Sequence, residues 1–129
     1  MRAIDTNVVV RFLTGDDKAQ AQAARAIIEA GDIFIATTVF LETEWVLRSG
    51  HGFSAARIGA ALRRLAGLAE VTVEEPILLA RALDWHEAGM DFADALHLTK
   101  TDGCEAFVTF DRRLAEAAGP LSPIRVERP

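Results

Sequence analysis

The 129 residues carry 14 Lys and Arg against 19 Asp and Glu, a formal net charge of −5, and 50% of them are apolar. That balance fits one soluble domain over residues 1–129 with a core of its own, and it speaks against a basic module that coats nucleic acid by charge alone. The one cysteine, Cys104, excludes an internal disulfide framework and a multi-cysteine zinc site. No apolar run approaches the ~20 residues needed to span a bilayer. Asp5 also interrupts the place where a signal peptide carries its apolar segment. A cytoplasmic protein with no membrane partner is the expectation.

In chain order, residues 3–4 open a short strand that ends at Asp5, and a helical pattern follows through Val8, Val9, Phe12 and Leu13. Gly15-Asp16-Asp17 reads as a turn, and the Ala-rich stretch 18–30 as a helix closed by Gly31. A buried strand is expected over 33–36. Thr37 or Thr38 then caps a helix over 39–48, which stops at Ser49-Gly50. Ser54 caps a helix over 55–66 ended by Gly67, and 71–73 is β-branched enough for a strand. Pro76 suits the first turn of a helix over 77–88, which Gly89 closes.

Asp91 begins the next helix, which runs to Thr101 before Asp102-Gly103. A strand over 106–110, Asp111, a helix over 112–118 and an edge strand over 124–126 complete the chain. Strands alternating with helices point to an α/β fold with a mostly parallel sheet. In such sheets ligands bind beyond the carboxyl ends of the strands.

That rule directs attention to acids. Asp5 and Asp111 each stand just after a strand, while Glu42 and Asp94 fall near the start of a helix. At ~100° per residue, Glu42 lies between Trp45 and Val46, which predicts a carboxylate wedged against apolar neighbours. Glu44 precedes Arg48 by four residues, the order of a favourable surface pair. Asp91 lies one turn before Asp94 and suits a helix cap, and Asp111 suits one equally.

Two like charges ~5 Å apart repel by about 3 kcal/mol at an effective dielectric of ~20. Four carboxylates at one edge therefore call for a cation, and an oxygen-only donor set favours Mg²⁺ or Mn²⁺ over zinc. Thr6 and Asn7 supply neutral groups that steady Asp5 or meet a phosphate without adding charge.

IDTNVVVRFL, TTVFLETEWVLR, GMDFADALHL and FVTFDRRL, in that order and spacing, resemble the four signature blocks of PIN-domain ribonucleases, above all the VapC-type toxins of type II toxin–antitoxin systems. The family's acidic quartet falls on Asp5, Glu42, Asp94 and Asp111, and its supporting amide and hydroxyl positions on Asn7 and Thr109. The resemblance implies a three-layer α/β/α sandwich with a mostly parallel, about five-stranded sheet. It implies hydrolysis of RNA phosphodiester bonds by water activated on Mg²⁺ or Mn²⁺. It further implies a homodimer and a cognate VapB-like antitoxin, gripped by paired helices like those flanking SGHGFS. Arg48, Arg112 and Arg113 lie near the motifs and are candidates for RNA phosphates.

Other readings carry less. His51, His86 and His97 lack zinc spacing, Cys104 has no base in its sequence context and reads as a packing residue, and Trp45, Trp85 and the phenylalanines suit a core. An aspartate-nucleophile phosphatase needs an acid two residues after the first, where Asn7 stands, and a later lysine, for which only Lys18 and Lys100 are present. The alternative is a catalytically silent PIN-fold module that binds a partner protein.

Overall fold

In the computed structural model, which describes residues 1–129, the first strand stops where its acid begins. β1 (Arg2–Ala3) is two residues long, Ile4 still donates its N–H to Phe34 O at 3.2 Å, and Asp5 then turns the chain into α1 (Thr6–Thr14). Gly15 adopts φ 68°, a left-handed conformation that closes α1 without a Cβ clash, and α2 (Lys18–Glu29) follows.

β2 (Ile33–Ile35) leads into α3 (Thr37–Ser49), α4 (Ala55–Ala66) and β3 (Val71–Val73). The chain divides into two compact units, and these elements make the first, Met1–Pro76. Its sheet is parallel in the order β1-β2-β3, with Ala3 opposite Phe34 and Phe34 opposite Thr72. Each parallel crossover is a pair of helices, as parallel strands require. α1 packs on α2 and α3, and α4 packs on α3 and β3. Ile33, Ile35, Phe40, Leu47, Ile58 and Leu62 are all but inaccessible to water. Burying each such side chain contributes roughly 1.5–3 kcal/mol.

The second unit, Ile77–Pro129, takes most of α5 (Pro76–Glu87), then α6 (Phe92–Thr99), β4 (Ala106–Val108), α7 (Arg112–Ala118) and β5 (Arg125–Glu127). β4 and β5 pair in parallel, with Phe107 opposite Val126. Leu79, Leu83, Trp85, Phe92, Leu96 and Leu114 are buried. No helix is long and apolar enough to cross a membrane.

Seven helices and five strands, every pairing parallel, make the α/β fold the sequence implies. The strands form a three-stranded and a two-stranded ladder rather than one about five strands wide. They are also shorter than the sequence suggests: β4 ends at Val108, and Thr109 adds a single bond to Glu127 O before Asp111 caps the next helix. α3 begins earlier than expected, and neither Thr37 nor Thr38 caps it. Ala36 holds the cap position with no side-chain bond, and Glu74 Oε1 accepts the Thr37 N–H at 2.9 Å instead. Thr37 Oγ1 donates to Glu75 Oε1 at 3.0 Å. A helix start with four orphan N–H groups thus takes its acceptor from the loop after β3.

Candidate functional site

Asp5, Asp91 and Asp111 share one local role. Asp5 is the N-cap of α1, its Oδ1 accepting from Val8 N–H at 3.1 Å. Asp91 is the N-cap of α6, its Oδ2 accepting from Asp94 N–H at 3.1 Å. Asp111 is the N-cap of α7, its Oδ1 accepting from Arg113 N–H at 2.9 Å and Leu114 N–H at 3.2 Å. Each cap engages one carboxylate oxygen and leaves the other for a ligand. Capping and chemistry are therefore not alternatives at these positions. Each cap bond favours one placement of the side chain, which lowers the rotamer freedom that binding would otherwise have to remove.

The neighbours support this placement. Thr6 is buried in the first turn of α1, and Asn7 is exposed beside Asp5. Thr109 Oγ1 accepts the Asp111 N–H at 3.0 Å, while Thr109 N–H reaches Glu127 O at 3.0 Å and extends the β4–β5 ladder by one bond. That places Asp111 directly beyond the carboxyl end of its strand.

Within the second unit the acids act on one another. The Asp94 carboxyl is held above its ordinary value, first by partial burial, then by the charges of Asp91 and Asp111, against a smaller opposing pull from His97. Crowding of this kind is what a cation relieves. In neither unit do three His, Cys, Asp or Glu side chains form a ready-made metal cage. Mg²⁺ is characteristically held by one or two carboxylates with water and substrate oxygens completing its shell. The donors present, all carboxylate oxygens with free lone pairs, fit Mg²⁺ or Mn²⁺.

A family model, that of the PIN domain, matches residues 3–120. This chain belongs to the PIN domain family. Its members have a nuclease-type fold and commonly depend on divalent metal ions. No curated protein and no solved structure matches the chain. Asp5, Glu42, Asp94 and Asp111 all fall inside the PIN match.

Helix α3 of the PIN domain departs from the sequence reading. Its buried stripe is Phe40, Thr43, Glu44 and Leu47, spaced i, i+3, i+4, i+7. Glu42 is exposed rather than wedged among apolar groups, and Trp45 beside it is 57% exposed. Glu44, expected on the surface, is 1% exposed. Arg48 Nε donates to its Oε2 at 2.9 Å. The pair expected on the surface is thus anchored on a buried carboxylate, while the Arg48 side chain itself stays 48% exposed. Arg112 and Arg113 stand exposed on the first turn of α7, directly after Asp111.

Three further expectations change. Cys104 is exposed rather than packed, and Trp45 and Phe110 lie outside the core, Phe110 at 80% exposure. Trp85 is buried as expected. A polar network in the first unit leaves little trace in the sequence. Arg11 donates from Nε to Gln20 Oε1 at 2.7 Å and from its NH1 nitrogen to Asp16 Oδ1 at 2.8 Å, while His51 Nε2 stands 3.1 Å from Asp16 Oδ2. The one signal in the sequence was Gly15-Asp16-Asp17 itself, a turn more acidic than a turn needs to be.

Proposed function

We propose that this PIN domain is a metal-dependent endoribonuclease whose carboxylates are Asp5, Glu42, Asp94 and Asp111, and that residues 1–129 act as one such domain. The observation that carries the reading is the family match over residues 3–120, with all four acids inside it. The crowding of Asp94 by Asp91 and Asp111 supports it, because uncompensated like charges are otherwise only a cost to stability.

A bound Mg²⁺ or Mn²⁺ supplies Lewis acidity, lowering the pKa of water and offsetting charge on the phosphodiester. The chain's own part is to place oxygens. Asp5 and Asp111 present theirs from helix-cap positions, and Asp94 presents its own from the first turn of α6. Exposed Glu42 accepts a proton from the attacking water or steadies it through a hydrogen bond. Asn7 and Thr6 hold the Asp5 segment, Thr109 holds the Asp111 turn, and Arg112 and Arg113 meet RNA phosphates.

The finer assignment is a VapC-type toxin that works as a homodimer in the cytoplasm and is silenced by a VapB-like antitoxin. What supports a protein partner is an open apolar cleft of about 320 Å³ lined by Phe12 and Leu13 of α1, by Ala61 and Leu65 of α4, and by Leu68 just beyond it. Arg64 at the same cleft suits an acidic residue on that partner.

The test is cleavage of a single-stranded RNA by purified protein. Degradation that requires Mn²⁺ or Mg²⁺ and disappears in Asp5→Asn bears the proposal out. Tight binding of a partner protein with no cleavage under either metal refutes it in favour of a silent binding module.

A further inference from the structure

A second cleft, of about 420 Å³, runs along α1 and α2 in the first unit and begins at Asp5. Its size falls within the ~300–1,000 Å³ range of small-molecule sites. Asn7, Arg11 and Gln20 give it polar edges, and Ala23 and Ile27, one turn apart on α2, give it an apolar wall.

Arg11 is fastened rather than mobile. Its Nε and NH1 nitrogens donate to Gln20 and Asp16, as described above, and Thr14 Oγ1 lies 2.8 Å from the same Asp16 oxygen. His51, Thr14 and Arg11 together, in that order of strength, hold the Asp16 carboxyl far below its ordinary value, so Asp16 stays ionised and cancels the Arg11 charge. The second terminal nitrogen of the guanidinium (NH2) takes no part in these bonds.

The charge balance then chooses the ligand. With Arg11 neutralised by Asp16, the remaining formal charge at the cleft is the Asp5 carboxylate, which disfavours a phosphate. A flat, uncharged ring with donors and acceptors on its edge matches two carboxamides, one spare guanidinium N–H edge and an apolar wall. Unstacked bases of single-stranded RNA are recognised in this manner, by guanidinium planes and edge hydrogen bonds.

We propose that this cleft is a nucleobase subsite, in which the base adjoining the cut phosphodiester packs on Ala23 and Ile27 while Asn7, Arg11 and Gln20 read its edge. The assignment of the cut bond rests on the ribonuclease reading of Asp5. The cleft's affinity for a base does not.

The test uses the full chain, ¹⁵N-labelled, titrated without metal with each of the four nucleosides and, separately, with inorganic phosphate. At least one nucleoside is expected to shift the amides of Asn7, Gln20 and Ala23, with phosphate leaving them unmoved. Ala23→Phe, an exposed helix position, is expected to weaken that binding at least tenfold, and Gln20→Leu to change which nucleoside binds best. In RNA, both variants are expected to alter base preference beside the cut, read by sequencing the ends, while Mn²⁺ affinity stays at the parent value.

Phosphate shifting the amides in place of nucleosides overturns the subsite. So does a wild type that cuts RNA but shows no nucleoside response, and in that case the ribonuclease reading stands. Nucleoside binding by a wild type that cuts no RNA under any metal keeps the subsite and removes the ribonuclease.

Discussion

Replacing Arg48 by methionine removes the partner of a carboxylate that has almost no access to water. The side chain of Glu44 is 2% exposed and that of Arg48 is 48% exposed, with 2.9 Å between Nε and Oε2. At ~4 Å between charge centres and an effective dielectric of ~20, their attraction is about 4 kcal/mol. Desolvating the carboxylate costs several kcal/mol and offsets most of that gain, so the pair contributes little net stability. Removing one partner is another matter, because the desolvation remains without the attraction. Fully buried pairs lose roughly 3–5 kcal/mol in that case. Water at the half-exposed Arg48 position recovers part of this, leaving a loss of about 2–3 kcal/mol for Arg48→Met. At about 4 °C per kcal/mol for a chain of this size, the melting temperature falls by roughly 8–12 °C. Glu44→Leu combined with Arg48→Met removes the stranded charge and returns stability to within about 1 kcal/mol of the parent. Urea unfolding of the two single variants and the double measures the coupling. A melting temperature for Arg48→Met within a degree of the parent would refute the reasoning, as would a double variant less stable than either single one.

Asp94→Asn is expected to stabilise the metal-free protein. The folded-state carboxyl is held above its ordinary value, so wild-type stability falls as pH rises through that value. The variant's advantage is therefore present at neutral pH and vanishes in acid, which melting curves across pH check directly. Asp16→Asn does the reverse. Its carboxyl is held far below the ordinary 3.8, so the wild-type advantage is complete above that value and shrinks only as pH falls below it. Glu74→Ala strips the acceptor from the start of α3 and is expected to cost about 0.5–2 kcal/mol in urea unfolding, the size of a lost cap.

The parts of this protein that were legible in its sequence are those decided locally. Ser54, Asp91 and Asp111 cap the helices that follow them, as their positions imply, and Gly15 makes its turn in the left-handed conformation only glycine adopts freely. The strand–helix alternation followed from the same punctuation. Helix α3 misled because apolar residues surround it on nearly every side, so the wheel offered no clean stripe. Its buried face includes Thr43 and Glu44, both polar by type, and no periodicity of apolar residues picks them out. The cap from Glu74 to Thr37 joins residues 37 apart, and the His51–Asp16 contact joins residues 35 apart. Such pairings belong to the tertiary fold, and spacing along the chain holds no trace of them. The candidate acids were found because strand ends and helix starts are themselves local features. The sequence anticipates acids gathering at one edge, and the fold shows which charges crowd Asp94.

Metal dependence of this domain is decided by its Mn²⁺ affinity, read by electron paramagnetic resonance of the free ion in titrations of wild type, Asp5→Asn and Asp94→Asn. Each substitution is predicted to weaken binding at least tenfold, although the two residues lie 89 positions apart in the chain. Wild-type protein that leaves millimolar Mn²⁺ free, or binding that survives both substitutions unchanged, would contradict it.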